Sequence, residues 1–157
     1  MPIWTPDTAS APTHVVAFQA ADVTHSAASL VNTDLVFSFG ANEEWVVDLY
    51  LMCTSAATTT GYRFAFDTSV AVTSVGLTFN HVLANTGTIT AGDAVGDDTA
   101  RGLSSGVNAT GVIIPVMGHG VLQASTSAGT CRLRFGPEVA ASATFKAGSA
   151  MVATKVG

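Results

Sequence analysis

Charged residues are scarce in this chain of 157 residues. Lys, Arg, Asp and Glu make up 11% of it and hydrophobic residues 48%, whereas roughly 25% of a soluble domain is usually charged. Only six residues are Lys or Arg, and the formal net charge is −5. Because phosphate groups are bound by clustered basic side chains, this balance argues against a nucleic-acid binder, and for the same reason against binding to a membrane surface through a basic face.

Long apolar runs are also missing. Although the mean hydropathy is +0.43, no segment reaches the roughly 18 consecutive apolar residues of a membrane-spanning helix. The first residues, Met1-Pro2-Ile3-Trp4, lack the basic and then apolar segments of a signal peptide, so we expect synthesis in a cytoplasm. The length fits one domain, which at this size buries about 70% of the surface that its unfolded chain exposes.

Cysteine is limited to Cys53 and Cys131, each inside an apolar run. The two could meet across a sheet and oxidise, but the favoured interpretation is that both are buried thiols that pack as small hydrophobic residues. The chain has neither a Cys-x-x-Cys pair nor a cluster of Cys and His, so a zinc site is not expected.

The histidines are scattered, and none lies two or four residues from another; they are His14, His25, His81 and His119. The most conspicuous is in Gly118-His119-Gly120. This tripeptide could present an exposed base on a flexible turn, but we favour a tight connection or a bulge between two strands.

Signatures of catalysis are absent as well. Glu43-Glu44 and Asp97-Asp98 are adjacent pairs, and neighbours in a strand point to opposite faces, so solvated turns are favoured over a shared acid/base or metal site. The sequence contains no nucleophile elbow and no phosphate-binding glycine loop. We therefore predict no catalytic residues, no metal ligands and no cofactor.

The hydrophobic pattern of the sequence is typical of β-strands. Apolar residues recur with period two or in short β-branched runs, and clusters of Gly, Asn, Asp, Ser and Thr interrupt them about every ten residues. This pattern predicts an all-β protein with an antiparallel β-sandwich or jelly-roll fold. The predicted strands are residues 15–18, 35–39, 45–53, 62–66, 70–80, 112–117, 121–125, 130–135 and 150–156.

Alternation along these strands predicts which faces are buried. The residues expected in the core are Leu35, Phe37, Phe39, Val47, Leu49, Leu51, Cys53, Tyr62, Phe64, Phe66, Cys131, Leu133 and Phe135. The opposite face of the strand at 45–53 carries Val46, Asp48, Tyr50 and Met52, and it is too apolar for open solvent. We expect this second face to pack against another subunit.

Two segments, residues 1–14 and 85–108, differ from the predicted strands. Proline at positions 2, 6 and 12 prevents a helix, so residues 1–14 are predicted to be an extended arm in front of a β-sandwich domain at 15–157. On the arm, Ile3 and Trp4 are expected to dock on their own domain, on a neighbouring subunit or on a separate partner. Residues 85–108 predict a long surface loop with a short edge strand at 88–90.

Aromatic side chains could form stacking platforms for a sugar. The candidates are Trp4, Trp45, Tyr50 and Tyr62. For Trp45, Tyr50 and Tyr62, packing in the core or at a subunit interface is the favoured alternative.

Several strings of residues resemble small structural proteins of tailed bacteriophages. They are TDLVFSF (33–39), EWVVDLYL (44–51), SAATTTGYRF (55–64), AGTCRLRF (128–135), EVA (138–140) and KAGS (146–149). Together they cover residues 30–157 and leave the arm outside. The pattern is also similar to trimeric jelly rolls of the tumour-necrosis-factor and complement type, in which an Ala-Gly-Ser turn leads into a final apolar strand.

The resemblance implies a homotrimer that serves on a virion and has no catalytic residues. A fibre tip would often follow a long repetitive shaft, so the short arm favours a head decoration (cement) protein that binds the major capsid protein on the capsid exterior. We expect Ile3 and Trp4 to contact the capsid or a neighbour, and Val46, Tyr50 and Met52 to form the trimer interface.

Two other functions stay open at this point. One is a tail-fibre or receptor-binding tip domain that recognises host-cell glycan through the loop at 85–108. The other is a small jelly-roll lyase or hydrolase, which would require a cleft where His and carboxylate side chains converge; the sequence disfavours it. Nucleic acid and membrane are not expected as partners.

Overall fold

A computed structural model of the chain describes residues 13–82, 89–95, 101–102 and 110–157, with side chains outside 81–109. Every element within these residues is a β-strand. The strands are β1 His14–Phe18, β2 Val23–His25, β3 Val31–Phe39, β4 Glu44–Ser55, β5 Tyr62–Thr68, β6 Ser74–Val82, β7 Ile89–Val95, β8 Arg101–Gly102, β9 Ile114–Gln123, β10 Gly129–Pro137, β11 Ala143–Phe145 and β12 Ala150–Lys155. The predicted arm lies mostly outside the described residues.

The strands form two antiparallel sheets that pack as a sandwich. The larger sheet has eight strands, in the order β1-β12-β4-β9-β6-β7, with β11 joining β2 to β4. The smaller sheet has the order β3-β10-β5-β8. Across the sandwich, β3 contacts β1 and β12, and β5 contacts β6. Successive strands alternate between the sheets in much of the chain, which is the connectivity of a jelly roll.

The core lies between the sheets and is built from the faces that alternation predicts. All thirteen residues expected there are at most 3% exposed. Aromatic rings join the two layers: the centroids of Phe64 and Phe79 are 5.1 Å apart in an edge-to-face pair, and those of Phe135 and Phe145 are 5.4 Å apart. Cys53 and Cys131 are buried and form no disulfide bond, and burial raises the pKa of the Cys53 thiol.

One predicted turn is wrong. His119 lies in the middle of β9, where the pairing with β4 runs from Glu44–Gln123 to Cys53–Ile114 without a shift, so there is neither a turn nor a bulge. The flanking glycines have a packing role instead. A Cβ on Gly120 would lie 2.5 Å from Cε2 of Phe66 and 3.0 Å from the Gly76 carbonyl oxygen, so only glycine lets the Phe66 ring approach β9.

Other boundaries also differ from the predictions. The strand expected at 70–80 begins at Ser74, because the backbone before it turns and the Thr68 and Ser125 hydroxyls donate to the carbonyls of Val70 and Ala71. The loop expected at 85–108 contains the edge strand Ile89–Val95, which pairs with β6 through its backbone. The short strands β2 and β11 were not predicted, since three residues do not display a period.

Candidate interaction face

The large sheet presents an exposed apolar face on the side away from the core. We call it the outer face and define it by the outward-pointing residues of four neighbouring strands, β1, β12, β4 and β9. They are Val16, Phe18, Ala150, Val152, Val46, Asp48, Tyr50, Met52, Pro115, Met117, His119 and Val121. Directly opposite residues of antiparallel strands share a face, so the register itself brings these side chains together.

The pairing arranges the outer face in rows that run across the strands. In one row Tyr50 lies between Ala150 and Met117, and Phe18 continues it on β1. Phe18 is 62% exposed, Tyr50 52% and Met117 60%. Exposed aromatic and methionine side chains that lie together in this way mark interaction surfaces on soluble proteins.

A shallow groove runs along one end of the outer face. It has a volume of about 320 Å³ and lies between β4 and β9; its lining residues are Tyr50, Leu51, Met52, Pro115, Val116, Met117 and Gly148. Tyr50 contributes the single hydroxyl among these side chains. The groove therefore suits an apolar side chain of a partner better than a polar ligand that requires several hydrogen bonds.

A pair of polar side chains, His119 and Asp48, occupies the next row. Nδ1 of His119 lies 2.9 Å from Oδ1 of Asp48, on the directly opposite residue of β4. At the β1 edge, Nδ1 of His14 lies 3.0 Å from the Thr154 hydroxyl. His119 and His14 are thus each bonded to a polar side chain on the neighbouring strand of the same sheet.

The outer side of the small sheet is different, because part of it is covered by the chain itself. Arg63 donates to the Ala28 carbonyl at 3.1 Å and Arg134 donates to the Leu30 carbonyl at 2.8 Å, which holds the connection at 26–30 over this sheet. Beneath it, a Cβ on Gly136 would lie 2.1 Å from the Ser29 carbonyl oxygen. The two surfaces of the sandwich therefore differ in exposure and chemistry.

The residues predicted for a subunit interface all lie on the outer face. Tyr50 is exposed, and Val46 and Met52 are half-buried in the single chain. Ile3 and Trp4 lie outside the described residues. The sequence did not indicate Phe18, Met117 or Val121, which reach the same surface through strand pairing.

Two of the predicted sugar platforms are core residues. Trp45 is 4% exposed and Tyr62 is fully buried, so neither ring face is available for stacking, as the favoured alternative predicted. Tyr50 is the exposed member of the predicted set within the described residues. Trp4 lies outside them.

The pair Glu43-Glu44 has a structural role. The Glu43 carboxylate accepts hydrogen bonds from the Gly40 backbone N–H at 2.6 Å, from Lys155 at 2.9 Å and from the Trp45 indole at 3.1 Å. The Gly40 bond, followed by the Lys155 bond, lowers the pKa of Glu43. Glu44 accepts instead from Gln123. The two carboxylates therefore serve different partners, whereas Asp97-Asp98 lies outside the described residues.

In the described part of the chain, no group of three or more His, Cys, Asp or Glu side chains could hold a metal ion. No helix there is long and apolar enough to span a membrane.

The fold and the outer face define an all-β sandwich with an exposed apolar sheet surface. No family model matches the chain, and no curated protein matches it. Among solved structures, it is similar to the Gt strain of infectious bursal disease virus, with a TM-score of 0.28 and 9% identity over 99% of this chain and 46% of that chain. The VP2 subviral particle of the same virus gives 0.26 and 10% over 99% and 44%.

A second kind of neighbour is an enzyme. The CBM22-1 and GH10 modules of xylanase 10B from Clostridium thermocellum, complexed with xylohexaose, give a TM-score of 0.30 and 9% identity over 71% of this chain and 17% of that chain. The chain spans less than half the length of each of these three neighbours. Viral capsid proteins are thus among its weak structural neighbours, and likenesses at this level assign neither a family nor a function.

Proposed function

We propose that the protein is a structural protein of a bacteriophage virion, a head decoration (cement) protein that binds the capsid exterior as a homotrimer and stabilises it. The observation that carries the proposal is the exposed apolar outer face, which suits a protein whose working state is an assembly. The scarcity of charge fits the same state. Thr and Ala on a surface lose little side-chain entropy when they are covered, unlike Lys or Glu.

The trimer interface in this proposal is the outer face, centred on Val46, Tyr50 and Met52. Covering a half-exposed Phe or Tyr side chain removes about 100 Å² from water, which stabilises an assembly by about 2 kcal/mol. Association costs roughly 4–15 kcal/mol. Burial of Phe18, Tyr50 and Met117 together offsets a cost near the lower end of this range only. A closed ring gives each protomer two neighbours, so it uses the face more fully than a single pair does.

The capsid contact in this proposal is formed by the arm at 1–14 through Ile3 and Trp4, and the partner is the major capsid protein. Three arms held by one trimer act at high effective concentration, so contacts that are weak singly hold the trimer on the shell. Contacts that exist only in the assembled shell stabilise it by mass action. The role requires no catalytic residue, cofactor, nucleic acid or membrane.

Copy number per virion tests the proposal. Quantitative gel analysis of purified virions is expected to show many copies, in fixed ratio to the major capsid protein. A few copies on the tail, together with binding to host-cell glycan, would support the tail-fibre alternative and contradict the decoration role.

The arm has its own test. A variant lacking the residues before His14 is expected to lose copurification with capsids, because the proposed anchors Ile3 and Trp4 are gone. The double variant Ile3→Ser/Trp4→Ser, at full length, separates the anchors from the length of the arm. Full capsid occupancy by both variants would contradict the assigned role of the arm.

A further inference from the structure

The His119–Asp48 pair lies among the apolar residues of the outer face and is open to solvent. The two side chains are 61% and 46% exposed while their Nδ1 and Oδ1 atoms are 2.9 Å apart. The row on one side is Tyr50 with Met117, and the row on the other is Val46 with Val121. A partner that covers these apolar rows therefore also covers the pair.

The strands around the pair supply little other charge. On β6 the residue opposite His119 is Thr78, and on β12 the residue opposite Asp48 is Val152. The other titratable side chains of the described part of this face are Tyr50 beside the pair, His14 at the β1 edge and Glu44 at the end of β4, where Glu44 is bonded to Gln123. The protonation of His119 thus decides the charge at the centre of the face.

The cost of covering the pair depends on that proton. A protonated imidazole beside the Asp48 carboxylate gives a pair with no net charge, whereas a neutral imidazole leaves one negative charge in each copy. Taking an uncompensated carboxylate out of water is costly, and several copies facing one another add like-charge repulsion. Histidine is the side chain that ordinarily changes charge between about pH 5 and 8.

We infer that self-association through the outer face is controlled by pH, with the His119–Asp48 pair as the sensor and a second copy of this chain as the partner. The assembly takes up a proton at each His119 when it forms, so it is tighter in mildly acidic solution and weaker in mildly basic solution. This inference rests on the proposed self-association and adds its regulation.

The experiment is sedimentation equilibrium of the full-length protein at about pH 5.5 and about pH 8, the limits between which histidine titrates. Because each protomer takes up one proton, the protomer concentration at half-assembly is expected to be about tenfold or more higher at the basic pH. Circular dichroism at both pH values verifies that the protein is folded.

Variants of the His119–Asp48 pair are expected to change the pH dependence of assembly in different directions. A merely structural role of the pair would not produce this difference. His119→Gln cannot be protonated, so it is expected to remove the pH dependence. Asp48→Asn is expected to reverse it, because the protonated His119 is then the uncompensated charge and the neutral imidazole is not. His25→Gln is the matched control and retains the wild-type response, because His25 lies on β2, outside the outer face, where its ring is bonded to the Ser29 hydroxyl.

The outcomes separate this inference from the proposed function. An assembly equally stable at both pH values, or an Asp48→Asn variant with the wild-type sign, overturns the pH control and leaves the self-association standing. A protein that is monomeric at both pH values overturns both. Virion copy number reports on the decoration role independently of either result.

Discussion

Gly120 on β9 leaves room for a core side chain of the opposite sheet. Its absent side chain leaves the space that the edge of the Phe66 ring occupies, since a Cβ there would lie 2.5 Å from Cε2 of that ring. The ring is buried and cannot swing into solvent. The motif that resembles a turn in the sequence is therefore a packing device inside a continuous strand.

The substitution Gly120→Ala is expected to lower the free energy of unfolding by about 1–3 kcal/mol, because it overpacks the core. Urea unfolding measures this loss. In a Phe66→Leu background the same substitution is expected to cost less, since the ring atoms that it meets are gone. An equal loss in both backgrounds would contradict the packing role assigned to Gly120.

Glu43 closes the turn between β3 and β4 through three hydrogen bonds. Because its pKa in the folded state is lowered from the ordinary value of 4.5, the carboxylate stabilises the fold above that value and loses this contribution as the pH falls through the folded-state pKa. Glu43→Gln is expected to reduce the free energy of unfolding by about 1 kcal/mol at neutral pH.

Urea unfolding at about pH 7 and about pH 3 tests this sign, because the first pH lies above the ordinary pKa of a glutamate carboxyl group and the second lies below it. The difference between wild type and Glu43→Gln is expected to shrink at the acidic pH. Glu44→Gln, which alters a single exposed hydrogen bond to Gln123, is the matched control with a small effect. A difference for Glu43→Gln that does not change with pH would contradict the account.

At the scale of elements, the sequence predicts strands with one buried face best. In β3, β4, β5 and β10 most side chains that alternate inward are apolar and enter the core, so the pattern directly records the packing. Short strands such as Val23–His25 are recognised only through their partner, here Ala143–Phe145. Pairing of segments about 120 residues apart is not contained in local periodicity.

The residues of the outer face also divide into those that local periodicity predicts and those that only strand pairing reveals. Val46, Tyr50 and Met52 are predictable because they alternate with core residues of β4. Phe18 and Met117 join them only through the register of β1, β12 and β9, which a single sequence does not display. The position of His119 on the outer face was not predicted, because two flanking glycines are also typical of a turn.

The connection at 26–30 gives a prediction at this scale. Gly136→Ala would place a Cβ 2.1 Å from the Ser29 carbonyl oxygen, so the connection is expected to separate from the small sheet and lose its hydrogen bonds to Arg63 and Arg134. Chymotrypsin is then expected to cleave faster after Leu30, as followed by mass spectrometry.

A matched control for this experiment is Gly40→Ala, whose Cβ would meet only the side-chain carboxylate of Glu43. Cleavage after Leu30 is expected to be unchanged in that variant. Equal cleavage rates for Gly136→Ala and wild type would show that the connection does not depend on the space above Gly136.

At the scale of the whole molecule, the outer face is a region where charged side chains are scarce. The four strands of the outer face form a patch about 20 Å by 20 Å, from the spacing of strands and residues. Its charged or titratable side chains are few: the His119–Asp48 pair, Tyr50 beside it, and His14 and Glu44 at the rim. The account therefore assigns this patch to contacts between copies, and the small sheet, partly covered by residues 26–30, to the outside of the trimer.

Val121→Lys tests that assignment against Val139→Lys. Val121 is on the outer face and is 49% exposed, while Val139 follows β10 and is 47% exposed, so the two substitutions match in residue type and exposure. Lysine on the outer face would bring positive charges together and leave them partly desolvated at the interface. Val121→Lys is expected to dissociate the assembly, and Val139→Lys is expected to leave it intact.

The most direct test of the central claim is the molar mass of the purified protein in solution, measured by light scattering after size-exclusion chromatography. A molar mass of three times the chain mass of 15.9 kDa is expected for wild type and Val139→Lys, and the single-chain mass for Val121→Lys. A wild-type protein that elutes with the mass of one chain at every concentration, or a Val121→Lys variant that stays trimeric, would contradict the central claim.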